Sequence, residues 1–162
     1  MIDITYIVAD ATNPQGTGKK ILIHICNTIN AWGAGFVVPL ARKWPITKRS
    51  YHEWYQENLS LTLGTIQAVQ VEKDIVVINM IGQEGIGGTK DNPPIRYEAV
   101  RECLQKVRGI ALEHNASVHA PYLMGAGLAG GDWNTIERII IEELSDYDVS
   151  VTLYDIENKR QI

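Results

Sequence analysis

Short runs rich in Val, Ile and Thr recur at residues 4–8, 20–27, 64–72, 75–81, 117–123 and 149–156, a pattern expected of strands. Ile21-Leu22-Ile23 and Ile75-Val76-Val77-Ile78 are apolar at consecutive positions. Side chains alternate across a strand, so such runs waste apolar surface unless both faces of the sheet are covered. They predict central strands between helical layers. Ile136, Ile139, Ile140 and Leu144 trace one helical stripe, with Glu137, Arg138, Glu142 and Glu143 largely on the other face. Residues 97–113 repeat that spacing through Val100, Cys103, Leu104, Val107 and Ala111, behind a boundary at Pro93-Pro94. Two further helices are expected at residues 36–43 and 47–58. Pro39 must lie in the first turn of the former or bend it. Helices interleaved with strands indicate an α/β sandwich.

The interval 83–95 breaks both periods: Gly85, Gly87 and Gly88 precede Asp91, Asn92 and two prolines. An irregular segment of that length in a small domain is usually functional or mobile, which makes it a candidate lid.

At 162 residues the chain is expected to be one folding unit with a real core. Hydrophobic residues make up 45% and charged residues 21%, and no apolar run is long enough for a bilayer, so membrane insertion is not expected. The first nine residues carry Asp3 and Thr5 where a secretory signal needs a basic start and an apolar centre. Only two cysteines occur, Cys26 and Cys103, without metal-binding spacing. A cytoplasmic protein with reduced thiols and no metal or cofactor is the simple expectation. A net charge of -4 argues against strong binding to a nucleic-acid backbone. Any phosphate must be held by backbone amides, neutral donors or a few cations.

Two glycine-rich segments follow expected strands and precede expected helices. One is Asn27-Thr28-Ile29-Asn30-Ala31-Trp32-Gly33-Ala34-Gly35-Phe36; the other is Gly125-Ala126-Gly127-Leu128-Ala129-Gly130-Gly131-Asp132-Trp133. In open α/β sheets ligands bind beyond the carboxyl ends of the strands, where such loops converge. Glycine allows close backbone approach, and two such loops can hold a diphosphate from both sides. The glycines could instead serve only as tight turns. Neither segment carries a dinucleotide-binding or P-loop fingerprint, and Gly16-Thr17-Gly18-Lys19-Lys20 leads into a strand as a turn.

The run from His24-Ile25-Cys26-Asn27 through Trp32-Gly33-Ala34-Gly35-Phe36 to Arg42-Lys43-Trp44-Pro45, together with the second glycine loop, resembles the macrodomain family. The likeness is greatest to the branch containing ADP-ribose-1''-phosphate phosphatases and ADP-ribosyl-glutamate hydrolases. It extends from Ile4 to Ile156 and implies a single macrodomain over residues 1–162. The implied fold is a three-layer α/β/α sandwich with a mixed, mostly parallel central sheet.

The resemblance also implies that the chain binds ADP-ribose or a derivative and hydrolyses a terminal ester on the distal ribose. Its implied partners extend to ADP-ribosylated macromolecules. By position, Asp10 matches the acid that accepts a hydrogen bond from the adenine amino group, with Ala11 offering a backbone N–H. Asn27 resembles the residue contacting the distal ribose. Gly33, Ala34, Gly35 and Phe36 match the first phosphate loop, and Gly125, Ala126, Gly127, Leu128, Ala129, Gly130 and Gly131 the second. Tyr154 is a candidate wall for the adenine.

The catalytic candidates are His24, Asn27, Asn30 and Asp132. His24, Asn27 and Asp132 each also have a structural reading. His24 could transfer a proton near neutral pH or be a satisfied core residue. Asp132 could point at the distal ribose or cap the helix that follows. The similar glutamate hydrolases use a lysine and an aspartate where this chain has Gln83 and Ala129, so that lysine-dependent route is not expected. The alternatives are a non-catalytic ADP-ribose reader and a hydrolase acting on ADP-ribosylated protein or nucleic acid. A third possibility, an unrelated nucleotide-binding domain, requires the two glycine loops to lie apart.

Overall fold

The structure, a computed structural model, describes residues 2–161. In chain order the elements are β1 (Thr5–Ile7), β2 (Lys20–Asn27), α1 (Val37–Lys43), α2 (Pro45–Asn58), β3 (Ile66–Glu72) and β4 (Ile75–Gln83). They continue with α3 (Tyr97–His114), β5 (Ser117–Pro121), α4 (Trp133–Glu143), a 3-10 turn at Ser145–Tyr147, and β6 (Val151–Tyr154).

Boundaries shift where local chemistry intervenes. α2 begins earlier than expected because Pro45 takes its first position, where a missing N–H costs nothing. Pro39 is the third residue of α1, so it falls in the first turn and leaves the helix unbroken. β5 stops at Pro121, and Leu123 turns into the left-handed region with φ 66°.

Six strands form one sheet in the order β1-β6-β5-β2-β4-β3, all neighbours parallel except β3 against β4. This is the mixed, mostly parallel sheet expected, and helices cover both faces. Ile21, Ile23, Ile78 and Met80 pack in one core with Val100, Leu104, Ile136 and Ile140 of α3 and α4. Leu22, Cys26, Val77 and Ile81 pack in the other with Leu40 of α1 and Tyr51 of α2. The doubly apolar runs of β2 and β4 thus feed both layers. Glu143, largely buried, accepts from Arg101 Nη1 and Arg108 Nη1, both at 3.0 Å, and ties α4 to α3.

Among the described residues no helix is long and apolar enough to cross a membrane. Ile136 is fully buried and packs beneath the second glycine loop. Ile136→Ala is expected to destabilise the fold by about 2–5 kcal/mol, measured by urea unfolding; a loss under about 1 kcal/mol would contradict this packing.

Candidate functional site

β2 and β5 pair only at Lys20, Ile21 and Leu22, opposite Ser117, Val118 and His119. Beyond Leu22, β2 runs on beside β4 alone to Asn27, whereas β5 ends at Pro121 and departs. The chain leaves β2 for one half of the sheet and returns to the other half through α3. The strands therefore open a crevice at a switch point of the topology, where α/β sheets bind ligands. A cleft of about 860 Å³ lies there.

The cleft spans the carboxyl ends of four strands. Tyr154, Asp155, Ile156, Glu157 and Lys159 border one end, after β6. Tyr122, Leu123 and Met124 border it after β5, and Gln83, Ile86 and Gly87 close the other end after β4.

Both glycine loops face this cleft. Gly33, Ala34, Gly35 and Phe36 line it from the β2 side, and Gly125, Gly127, Leu128 and Ala129 from the β5 side. The loops meet across it: a Cβ at Gly35, whose φ is +84°, would stand 3.3 Å from Leu128 Cδ1. Gly125, with φ +79°, has no room for a side chain, since a Cβ would come within 2.7 Å of Ile95 Cδ1 and 2.9 Å of Ile25 Cδ1. Among the described residues, no protein acceptor takes the backbone N–H of Gly33, Ala34, Gly35, Gly127 or Leu128. Unpaired N–H groups on two facing loops suit an anionic ligand. The unrelated-domain alternative fails, because it required the loops to lie apart.

The segment 83–95 is anchored to both loops. Thr28 N donates to Gln83 O at 3.1 Å, Gly85 N to Thr28 Oγ1 at 3.0 Å, and Ile95 N to Ala129 O at 3.2 Å. Ile86 is 58% exposed at the cleft rim. Gln83 spends its amide on Gly85 O at 3.0 Å.

The proposed catalytic side chains are already engaged. His24 is 2% exposed, and its Nε2–H donates to Asn79 Oδ1. Asn79 passes the chain on to Gln67 Oε1 at 2.9 Å, and Gln67 to Ser50 O at 2.9 Å, forming a satisfied polar row from β2 through β4 and β3 to α2. Trp32 and Phe36 pack edge-on or tilted against the His24 ring. Burial lowers the His24 pKa to about 4 despite the opposing Asn79 bond, so the ring is neutral and shut away at pH 7. His24 borders the cleft, but its imidazole serves the core.

Asn27 holds the first loop together: Oδ1 accepts from Ile29 N and Ala31 N, both at 3.0 Å, and Nδ2 donates to Ala31 O at 2.8 Å. Asn30 does not border the cleft; its Oδ1 accepts from His52 Nδ1 on α2. Asp132 also lies outside the cleft and is the N-cap of α4, accepting from Thr135 N at 3.1 Å. That cap also occupies the start of α4, so the donors left unpaired here belong to the loops.

At the β6 end, Tyr154 lines the cleft while its hydroxyl is fixed by Gln15 N at 2.8 Å and His119 Nδ1 at 2.7 Å. Asp10 turns its Oδ1 to Thr12 N at 2.9 Å and Thr12 Oγ1 at 2.8 Å, and Ala11 is buried in the core. Neither borders the cleft. Ala126, Gly130 and Gly131 shape the second loop from behind. Sequence reasoning missed the cleft positions of residues 121–124 and of Asp155, Ile156, Glu157 and Lys159, and met Ile86 and Gly87 only within the candidate lid at 83–95. The available signal was position alone, since each segment follows the carboxyl end of a parallel strand.

No protein-family model matches the sequence. A macrodomain protein from Streptomyces coelicolor has a solved structure that aligns with a TM-score of 0.84 at 40% identity, covering 94% of this chain and 99% of its own. The chain belongs to the macrodomain family. A protein of unknown function from Bacteroides thetaiotaomicron aligns with this macrodomain at a TM-score of 0.91 and 49% identity, over 95% of this chain and 98% of that one. The ADP-ribose 1''-phosphate phosphatase of Lodderomyces elongisporus is 27% identical over 162 residues, covering 94% of this chain and 99% of its own.

His119, like His24, is held by burial at a pKa of about 4, below its ordinary 6.5. Between those values the unfolded chain binds more protons than the macrodomain, so stability is full above pH 6.5 and falls as pH drops toward 4. The urea midpoint should therefore decrease from pH 7 to pH 4.5, and His119→Gln should flatten that slope. An equal slope in the variant would refute the assignment of His119.

Proposed function

We propose that this macrodomain binds ADP-ribose or a derivative and hydrolyses a terminal ester on the distal ribose. The observation that carries the reading is the pair of facing glycine loops, joined at Gly35 and Leu128 across one cleft. Their free N–H groups take the diphosphate, in a site whose bordering charged residues, among the described residues, are Asp155, Glu157 and Lys159. Asp155 is already committed to Lys159 N and Arg160 N. Backbone donors therefore replace the cations that an acidic chain cannot supply in number.

The adenosine lies at the β6 end, with Tyr154 and Ile156 as walls and Asp10 on the adjoining turn. The distal ribose lies toward Gln83 and Ile86. The name of the fungal relative supports a 1''-phosphate ester as one bond hydrolysed. ADP-ribosylated macromolecules are further proposed partners. Both cysteines are free and buried, in keeping with a cytoplasmic protein.

For the phosphate ester, water attacks phosphorus, the bond from phosphorus to the 1''-oxygen breaks, and that oxygen leaves with a proton. The engaged state of His24, Asn27, Asn30 and Asp132 favours a water positioned by loop backbone groups over a side-chain nucleophile. The same engagement is the observation that favours the second reading, a non-catalytic reader.

Calorimetry should show ADP-ribose binding that Gly35→Val lowers at least tenfold, because the new side chain meets Leu128 in a left-handed backbone position. Binding at wild-type strength in Gly35→Val would overturn the placement of the diphosphate. Phosphorus NMR separates the two readings: inorganic phosphate growing from ADP-ribose 1''-phosphate marks the enzyme, and perturbed diphosphate signals without turnover mark the reader.

Asp132→Asn keeps a good N-cap but cannot act as an acid or base. It should retain turnover within about twofold, whereas Asp132→Ala should lose about 1 kcal/mol of stability. A hundredfold fall in Asp132→Asn would assign Asp132 to the chemistry instead.

A further inference from the structure

Two neighbouring residues of α2 grip the first glycine loop at two points. Tyr51 Oη donates to Asn27 O at 2.6 Å and lies 3.0 Å from Asn27 Oδ1. His52 Nδ1 donates to Asn30 Oδ1, three residues further along the loop. Asn30 sits at φ 67°, a left-handed conformation that a non-glycine residue keeps only where its surroundings hold it. The next residues, Ala31 and Trp32, enter the cleft wall and lead to Gly33, Ala34 and Gly35. The His52 ring also stands 6.5 Å from the Trp32 ring, edge-on, and 5.7 Å from Tyr51.

We infer that His52 is a positioning residue of the ligand site: through Asn30 it sets the path of the first glycine loop and so aims its N–H groups into the cleft. Asn30 thereby acts from outside the cleft. Its Oδ1 is the anchor point, and the turn from Asn27 to Ala31 is fixed at one end by Tyr51 and at the other by His52. Burial, aided by the Lys48 cation, lowers the His52 pKa. That shift favours the neutral ring, and Nδ1 carries the hydrogen given to Asn30 Oδ1. The inference rests on the proposed ADP-ribose site for its functional consequence, but not for the loop geometry itself.

The test compares His52→Ala, His52→Asn and Asn30→Gly in the full chain, using calorimetric titration with ADP-ribose and amide hydrogen exchange of the ligand-free protein. His52→Ala should weaken binding about five- to tenfold, as expected for the loss of one ordering hydrogen bond. It should also speed exchange across residues 31–35. His52→Asn places an amide N–H where Nδ1–H was and should return both readouts to within about twofold of wild type, a rescue that a mere packing role would not produce. Asn30→Gly keeps the left-handed backbone but removes the acceptor, so adding His52→Ala to it should change neither readout further.

Wild-type-like binding and exchange in His52→Ala, or no rescue by His52→Asn, would overturn the inference. If the wild-type protein itself binds no ADP-ribose, the functional reading fails instead. Exchange across residues 31–35 then decides the role of His52 alone: faster exchange in His52→Ala with rescue by His52→Asn supports it, and any other result overturns it.

Discussion

Three paired positions between β2 and β5, followed by their separation, are the constraint on which the rest of the site depends. Continued pairing to Asn27 would fill the space between the two strands with a ladder, and the glycine loops would emerge with no crevice between them. The separation is possible because β2 keeps a full ladder with β4 on its other side. It is stable because both faces of β2 are buried, Ile21 and Ile23 against one helical layer, Leu22 and Cys26 against the other. Burial of that kind contributes roughly 1.5–3 kcal/mol per large aliphatic side chain, so the strand holds although one edge is open.

An open edge beside an apolar core creates a difficulty for polar side chains, and the molecule resolves it with closed hydrogen-bond sets. His24, Asn79 and Gln67 form one row across three strands. Tyr154, His119 and Ser117 form another under the β6 end of the cleft. Leaving any of these groups buried and unpaired would cost about 1–3 kcal/mol, which explains why they are linked to one another and not to the cleft. The consequence for function is direct. The side chains nearest the switch point mostly build its walls, and the unpaired donors that remain there are backbone N–H groups of the two loops and the buried indole N–H of Trp32.

That division suits an acidic macrodomain. A diphosphate held by lysines and arginines would need a local excess of cations, whereas oriented N–H groups on rigid loops carry no net charge and lose little freedom on binding. The loops are braced by their neighbours: Tyr51 and His52 of α2 hold the first, and Ile25, Ile95 and Ile136 pack against Gly125 in the second.

Periodicity and glycine placement made most of this architecture legible from the chain. The doubly apolar runs of residues 21–23 and 75–78 announced central strands, and the stripe through Ile136, Ile139 and Ile140 announced α4, because burial imposes a period that survives in one dimension. The two phosphate-loop candidates were visible for a similar reason, since close approach and positive φ demand glycine. The orientation of individual polar side chains was not visible. Whether His24 faced solvent or Asn79, and whether Asn30 entered the cleft or bonded His52, were decided by neighbours distant in sequence, whereas the cap of Asp132 on Thr135 is local and was legible as one of two readings. Hydrogen-bond partners such as His24 with Asn79, 55 residues apart, leave no local pattern. Only the packed sheet and its two helical layers bring them within bonding distance.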